Sequence, residues 1–180
     1  MTAPACLLPR WGSLTTFPYM GTLHAHILGY HLRGARTAFE MGSGGSTLFA
    51  LMVNPALRLV SIEHDPTWRA KVHDAHAALA ASPVEIGGRL ELCGYDEAAI
   101  GKAAPYDVVL IDGDCYQRAE WMARTWPAVQ PGGVLLLHDA ERKEYEQAKA
   151  DIVADGTTVL YDDTDPTYVG SARLWIARKP

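Results

Sequence analysis

The chain has 180 residues, of which 48% are hydrophobic and 21% charged, and its formal net charge is −5. That length and balance suit one globular domain with a sizeable core, and the negative charge offers no general attraction to nucleic acid. No apolar run approaches the roughly 18 residues of a membrane span, so no membrane partner is expected. The N-terminus "MTAPACLLPRWG" lacks the basic region and apolar core of a signal peptide. Cys6, Cys93 and Cys115 show neither metal nor redox spacing and read as reduced thiols in a cytoplasmic protein.

The first 35 residues read as a lid-like segment with a helix at about Tyr19–Leu32. Short apolar runs then follow at 36–41, 58–63, 89–93, 106–112 and 133–139, each ending at or just before a Gly, Asp or Glu. Continuous apolar runs of that length suit buried parallel strands. Between them, helices are expected at Ser46–Val53, Pro66–Ala81 and Arg118–Val129, with a short turn near Asp96–Lys102. Pro66 after Asp65 fits the first helical position behind an N-cap, and "QPGG" (130–133) reads as the turn into the fifth strand. After a helix at Ala140–Asp155, the runs 157–163 and 172–178 are joined by a loop too short for a crossover helix, which makes the pair antiparallel. The fold class is therefore α/β. A doubly wound, seven-stranded sheet is expected over 36–180, mostly parallel with an antiparallel last strand and helices on both faces.

"EMGSGGST" (40–47) joins the first strand to the first helix of this sheet, where α/β folds bind nucleotides. The lysine of a phosphate loop is missing, and Gly42-x-Gly44-x-x-Thr47 lacks the third glycine of a dinucleotide fingerprint. A purely structural strand-to-helix turn is the remaining alternative. Two acids favour a ligand instead. Glu40 ends the first strand, where a carboxylate suits an ammonium or sulfonium better than a diphosphate. Glu63 in "SIEHD" ends the second, 19 residues after Gly44, where an acid can grip ribose hydroxyls. A cationic nucleoside without phosphates, S-adenosylmethionine, fits both.

With "YDVVLIDGD" on the fourth strand and "PGGVLLLHD" on the fifth, the chain resembles the class I S-adenosylmethionine-dependent methyltransferases from about Arg36 onward. The terminal antiparallel pair is similar to that family's inserted seventh strand. The resemblance implies that Glu40, Gly42, Ser43, Gly44, Gly45 and Ser46 cradle the methionine part, and that Glu63 with His64 holds the ribose. It also implies that Asp96 or Tyr95 lies at the adenine and that Asp112 closes the cofactor site.

In-line methyl transfer needs alignment above all, up to about 7–11 kcal/mol, with a general base adding roughly 10²–10⁴-fold in rate. The ionisable groups at the ends of strands four and five are Asp112, Asp114, His138, Asp139, Glu141 and Arg142. Asp112 and Asp139 could hold Mg²⁺, as in the metal-dependent O-methyltransferases, although those usually carry an acid–acid or Asp-Asn pair after strand five, where this chain has His138-Asp139 followed by Ala140. "HDAERKEY" and the loop "EMGSGGST" also resemble the glucuronoxylan O-methyltransferases and related small bacterial proteins. That likeness implies a small, hydroxyl-bearing or sugar-like acceptor, with His138 or Asp114 as base and Arg142 on an acidic group. A surface ion pair is the plain alternative for Arg142.

His73 and His76 read as solvated, Trp68 and Trp121 as helix anchors, and Ile27, Leu28 and Tyr30 as packed on the sheet. Tyr19, His24 or His26 could face the substrate. With little chain left for a separate substrate domain, the N-terminal segment or a second subunit of a homodimer would close the site. Two alternatives keep the fold: another S-adenosylmethionine chemistry (aminocarboxypropyl transfer, cyclisation or lyase), or a non-catalytic binding module.

Overall fold

The computed structural model describes residues 10–11, 14–82, 86, 88–168 and 172–180. Cys6 lies outside them, as does part of the loop before the last strand.

Seven strands form one sheet: β1 (Thr37–Met41), β2 (Arg58–Ile62), β3 (Arg89–Cys93), β4 (Tyr106–Ile111), β5 (Val129–His138), β6 (Thr158–Thr164) and β7 (Arg173–Arg178). Their order across the sheet is β3-β2-β1-β4-β5-β7-β6. The first five are parallel, and β7 runs antiparallel between β5 and β6. The expected doubly wound sheet with an antiparallel last strand is what forms. A two-residue antiparallel pairing, Arg10–Trp11 with Leu14–Thr15, stands apart from it.

Strand alternation sorts the side chains into two cores. Phe39, Met41, Val60, Ile62, Val109, Ile111, Leu135 and Leu137 face Trp121, Met122, Tyr145 and Ile152, from α4 (Arg118–Thr125), α5 (Glu146–Ala154) and the turn before α5. On the other face Ala38, Leu59, Val108, Leu110, Val134 and Leu136 meet Ala25, Leu28 and Leu32 of α1 (Thr22–Arg33), with Ala50 and Leu51 of α2 (Gly45–Val53). Leu28 and Leu32 are each 2% exposed, worth about 1.5–3 kcal/mol apiece. The N-terminal helix is thus fastened to the sheet by its own apolar stripe. Helix α3 (Pro66–Ala80) sets Val72, Ala75 and Leu79 against Leu48 of α2. Asp65 accepts the Thr67 and Trp68 amides at its start, the cap that Asp65-Pro66 signals.

Three local expectations are corrected. "QPGG" lies inside β5, as a bulge where Tyr106 pairs Val129 and Val108 next pairs Val134. Gly132 takes φ +79, and a Cβ at Gly133 would lie 2.9 Å from the Tyr106 carbonyl, so the two glycines permit a bulge where a turn was expected. Helix α5 begins only at Glu146, because Asp139 turns the chain out of β5 at φ 52 and a 3₁₀ turn, Lys143–Tyr145, comes first. Tyr30, expected on the sheet, is 72% exposed on the outer side of α1.

Candidate functional site

The carboxyl ends of β1, β2 and β4 open onto a cleft of about 370 Å³. Its walls are the loop Gly42–Ser46, the run Glu63–Asp65 with Trp68, the run Asp112–Asp114, and Tyr19.

The glycine loop is shaped from behind. Gly42 has φ +95, and a Cβ there would sit 2.4 Å from Gly113 Cα. A Cβ at Gly113 would in turn lie 2.3 Å from the Tyr95 hydroxyl oxygen. The turns after β1 and β4 therefore touch backbone to backbone, which only glycines allow. Tyr95 braces the second turn, its hydroxyl oxygen accepting the Asp114 amide at 3.3 Å and its ring meeting Trp121 at 5.5 Å. Burial pushes the Tyr95 hydroxyl up to about 12. The Trp68 indole donates to the Ser43 carbonyl at 2.8 Å, so the tryptophan both anchors α3 to the loop and lines the cleft.

Glu40 does not line the cleft. Buried on the α1/α2 face of β1, it accepts from Ser46 Oγ at 2.5 Å and from Thr47 Oγ1 and Ser61 Oγ at 2.6 Å each. Thr47 Oγ1 also accepts the Gly44 amide at 2.8 Å, and Ser61 Oγ meets Ser43 Oγ at 2.7 Å. The carboxyl thus ties the loop to the first turn of α2 and to β2. Burial pushes it up to about 7, against the pull of the three hydroxyls.

Glu63, at the end of β2, does line the cleft. Its Oε1 accepts the Asp65 amide at 2.9 Å and meets His64 Nδ1 at 3.0 Å, leaving Oε2 without a partner among the described residues. His64 shares the wall, whereas Asp96 is exposed and caps the 3₁₀ turn Glu97–Lys102 by accepting the Ala98 amide at 2.9 Å.

At the other end of the cleft, Asp112 meets His138 Nδ1 at 3.0 Å and Arg118 Nη2 at 3.4 Å. Asp114 accepts the Tyr116 amide at 3.1 Å. Asp139 pairs with Arg118 Nη1 at 3.2 Å and lies 3.6 Å from His138 Nδ1. His138 is buried and absent from the cleft wall; it braces Asp112 from the α1 side, its ring 6.1 Å from that of buried His24. Burial pushes His138 down, but the hydrogen bond and charge of Asp112, with Asp139, outweigh it and leave a raised value. His26 is exposed. Tyr19 is 86% exposed and meets Tyr168, of the β6–β7 loop, at 6.2 Å between rings. Arg142 is exposed, outside the cleft wall and close to Cys115 and Tyr145.

Asp112, His138 and Asp139 bring ligand atoms within 4.8 Å of one another. As placed, two of these ligand atoms are already engaged within the protein. Oδ1 of Asp112 is shared by the His138 ring and the Arg118 guanidinium, and a proton-bearing Nδ1 cannot ligate.

Arg118, Gly113, Ser61 and Tyr168 escaped the sequence reading. Two of them carried a signal: Ser61 interrupts the apolar run of β2, and Arg118 opens a helix, the end where a cation is disfavoured.

A family profile described as a methyltransferase domain matches residues 39–140. No protein of curated function matches the sequence. Among solved structures, a methyltransferase-like protein from Silicibacter pomeroyi is 21% identical, with 91% of this chain and 89% of that chain covered and a TM-score of 0.61. The O-methyltransferase from Bacillus cereus, solved in complex with SAH, is 16% identical over 91% and 84% of the two chains, with a TM-score of 0.66. TomG from Streptomyces achromogenes, an O-methyltransferase involved in tomaymycin synthesis and solved with SAM, is 16% identical over 85% and 78%, at 0.63. Identities this low speak for the fold, and the profile covers more than half of the sequence. The chain belongs to the methyltransferase domain family, with the Rossmann-like fold of the class I S-adenosylmethionine-dependent methyltransferases.

Proposed function

We propose that this protein transfers the methyl group of S-adenosylmethionine to an oxygen of a small, hydroxyl-bearing acceptor. The observation that carries the reading is the cleft itself. A glycine turn at a helix start, a β2-end carboxylate with one oxygen unpartnered among the described residues, and two carboxylates at the far end line one space. The start of α2 lines the same space as Glu63, the arrangement that suits a nucleoside carrying an amino acid in place of phosphates. SAM- and SAH-bound relatives of the same fold support that donor.

When bound, the donor supplies an electrophilic methyl group on a sulfonium. The chain's task is then to hold both reactants in line and to receive one proton. Glu63 accepts the ribose hydroxyls through Oε2, and the loop Gly42–Ser46 fixes the amino-acid end. Asp112, held by His138 and Arg118, presents a fixed carboxylate to the acceptor. Asp114, without an ion pair among the described residues, takes the hydroxyl proton. Tyr19, set edge-on against Tyr168, forms the outer wall over which the acceptor enters.

The test is transfer from S-adenosylmethionine labelled on its methyl group. A panel of small alcohols, phenols and sugars is run beside the matching amines. Label in a base-stable ether, with S-adenosylhomocysteine as the other product, supports the reading. Label only in the amines, or a thioether product other than S-adenosylhomocysteine, overturns it.

A further inference from the structure

We infer that Arg118 is the built-in cation of this site, standing where a divalent ion would otherwise join Asp112 to Asp139 and holding the two strand ends in register without metal.

The side chain is only 7% exposed, and a buried guanidinium is tolerated only where its donors are satisfied. Here four hydrogen bonds and one further ion-pair contact engage it. Nε donates to the Gly113 carbonyl at 2.8 Å, Nη1 to the His138 carbonyl at 2.5 Å and to Asp139 Oδ2 at 3.2 Å. Nη2 faces the Asp112 carbonyl at 3.3 Å and Asp112 Oδ1 at 3.4 Å. The partners come from the ends of β4 and β5 and the turns beyond them, the segments that carry the carboxylates of the cleft's far end.

Two further observations give that grip a purpose. Asp139 has φ 52, a left-handed backbone seldom adopted by a residue other than glycine and kept only where the surroundings hold it. Its carboxylate is pinned by Arg118 and its neighbour's carbonyl is pinned by the same Nη1. In addition, arginine opens α4, where the helix end carries partial positive charge and a cation is unfavourable by itself. The two carboxylates offset that placement. A planar fork that spans two carboxylates and three carbonyls fixes directions as well as charge, which the point charge of a lysine does not.

Removing the guanidinium while leaving Asp112 and Asp139 would leave two adjacent carboxylates with only the His138 ring beside them, a set closer to that of a hard divalent ion. The experiment uses Mn²⁺ alone as probe, followed by calorimetry and by the loss of the free-ion paramagnetic signal. It is run on the full chain as wild type, Arg118→Ala and Arg118→Lys. The wild type is expected to bind no Mn²⁺ up to millimolar concentration, and Arg118→Lys likewise. Arg118→Ala gains a site at least about tenfold tighter than any wild-type binding, and adding Asp139→Asn abolishes it. A simple loss of structure would not create that gain. Wild-type binding of Mn²⁺ that Asp139→Asn removes would overturn the inference. So would a folded Arg118→Ala that gains no site, or an Arg118→Lys that binds as well as the alanine variant. If Arg118→Ala does not fold, the wild-type and lysine arms still decide. The inference does not depend on the identity of the donor, and S-adenosylhomocysteine titrations on the same variants report on that separately.

Discussion

Asp112 and His138, 26 residues apart in sequence, meet at 3.0 Å across the ends of neighbouring strands, with the imidazole buried and the carboxylate at the cleft. Burial acts against the imidazolium, but Asp112, aided by Asp139, holds it, so the folded protein keeps the proton above the ordinary value of 6.5. The sign follows. The stability from this pair is fully present below the unfolded value and is lost as pH rises through the higher folded one. Long-range ¹H–¹⁵N spectra of the imidazoles should show His138 titrating above 6.5 in the wild type, and below 6.5 in Asp112→Asn, where burial prevails. No change on that substitution would refute the pairing.

Glu40 predicts a pH dependence with a different origin. Its carboxyl moves from an ordinary 4.5 to about 7 in the fold, because it is buried. The folded state binds the proton more tightly, so stability falls as pH rises from 4.5 to 7 and is level above that. At about 1.36 kcal/mol per unit the full effect is on the order of 3 kcal/mol. Chemical denaturation of wild type and Glu40→Gln across that range should give curves that diverge toward neutral pH, with the glutamine variant losing less. Parallel curves would mean that the three hydroxyls keep Glu40 ionised throughout.

The back-to-back turns predict that Gly42 and Gly113 tolerate no side chain, unlike Gly44 in the same loop. Gly42→Ala places a methyl group 2.4 Å from the Gly113 backbone at φ +95, whereas Gly44→Ala meets nothing within 4 Å. Gly42→Ala should cost about 2–4 kcal/mol and loosen the loop, while Gly44→Ala should remain close to wild-type stability. Thermal melts of the two variants side by side check this. Equal stability would show that the turns do not touch.

Helix α1 is capped from the far end of the chain. Gly21 offers no side chain at its N-cap, and Asp165 Oδ2 accepts the His24 amide at 3.1 Å instead. Asp165→Ala should cost about 1 kcal/mol, the worth of an N-cap at a helix dipole, or roughly 2–4 °C of melting temperature at this chain length. Hydrogen exchange should quicken first in α1. A drop in stability without faster exchange there would place the loss elsewhere.

The strands were readable because burial on both faces writes itself as apolar runs, and the strand ends because each stops at a glycine or an acid. Glu63 and Asp112 stood out for that reason, and both line the cleft. Glu40 looked like a ligand-facing acid by the same rule. Its neighbours Ser46, Thr47 and Ser61, brought in from α2 and β2, make it a fastening of the loop, and only tertiary packing brings those three together. His138 was visible as an ionisable group, but alternation along β5 turns it toward α1 and away from the cleft. Asp96 and Tyr95 each had a local task, a cap and a brace, that sequence spacing alone does not distinguish from adenine contact. Arg118 was hidden because its partners are mostly carbonyls, which every residue carries.

Calorimetric titration with S-adenosylhomocysteine tests the central claim most directly. Wild type should bind at micromolar affinity, one equivalent per chain. Glu63→Ala should lose at least about tenfold, or 1.4 kcal/mol, with an unchanged melting profile in the absence of ligand. No binding by wild type, or equal binding by Glu63→Ala, would contradict the account.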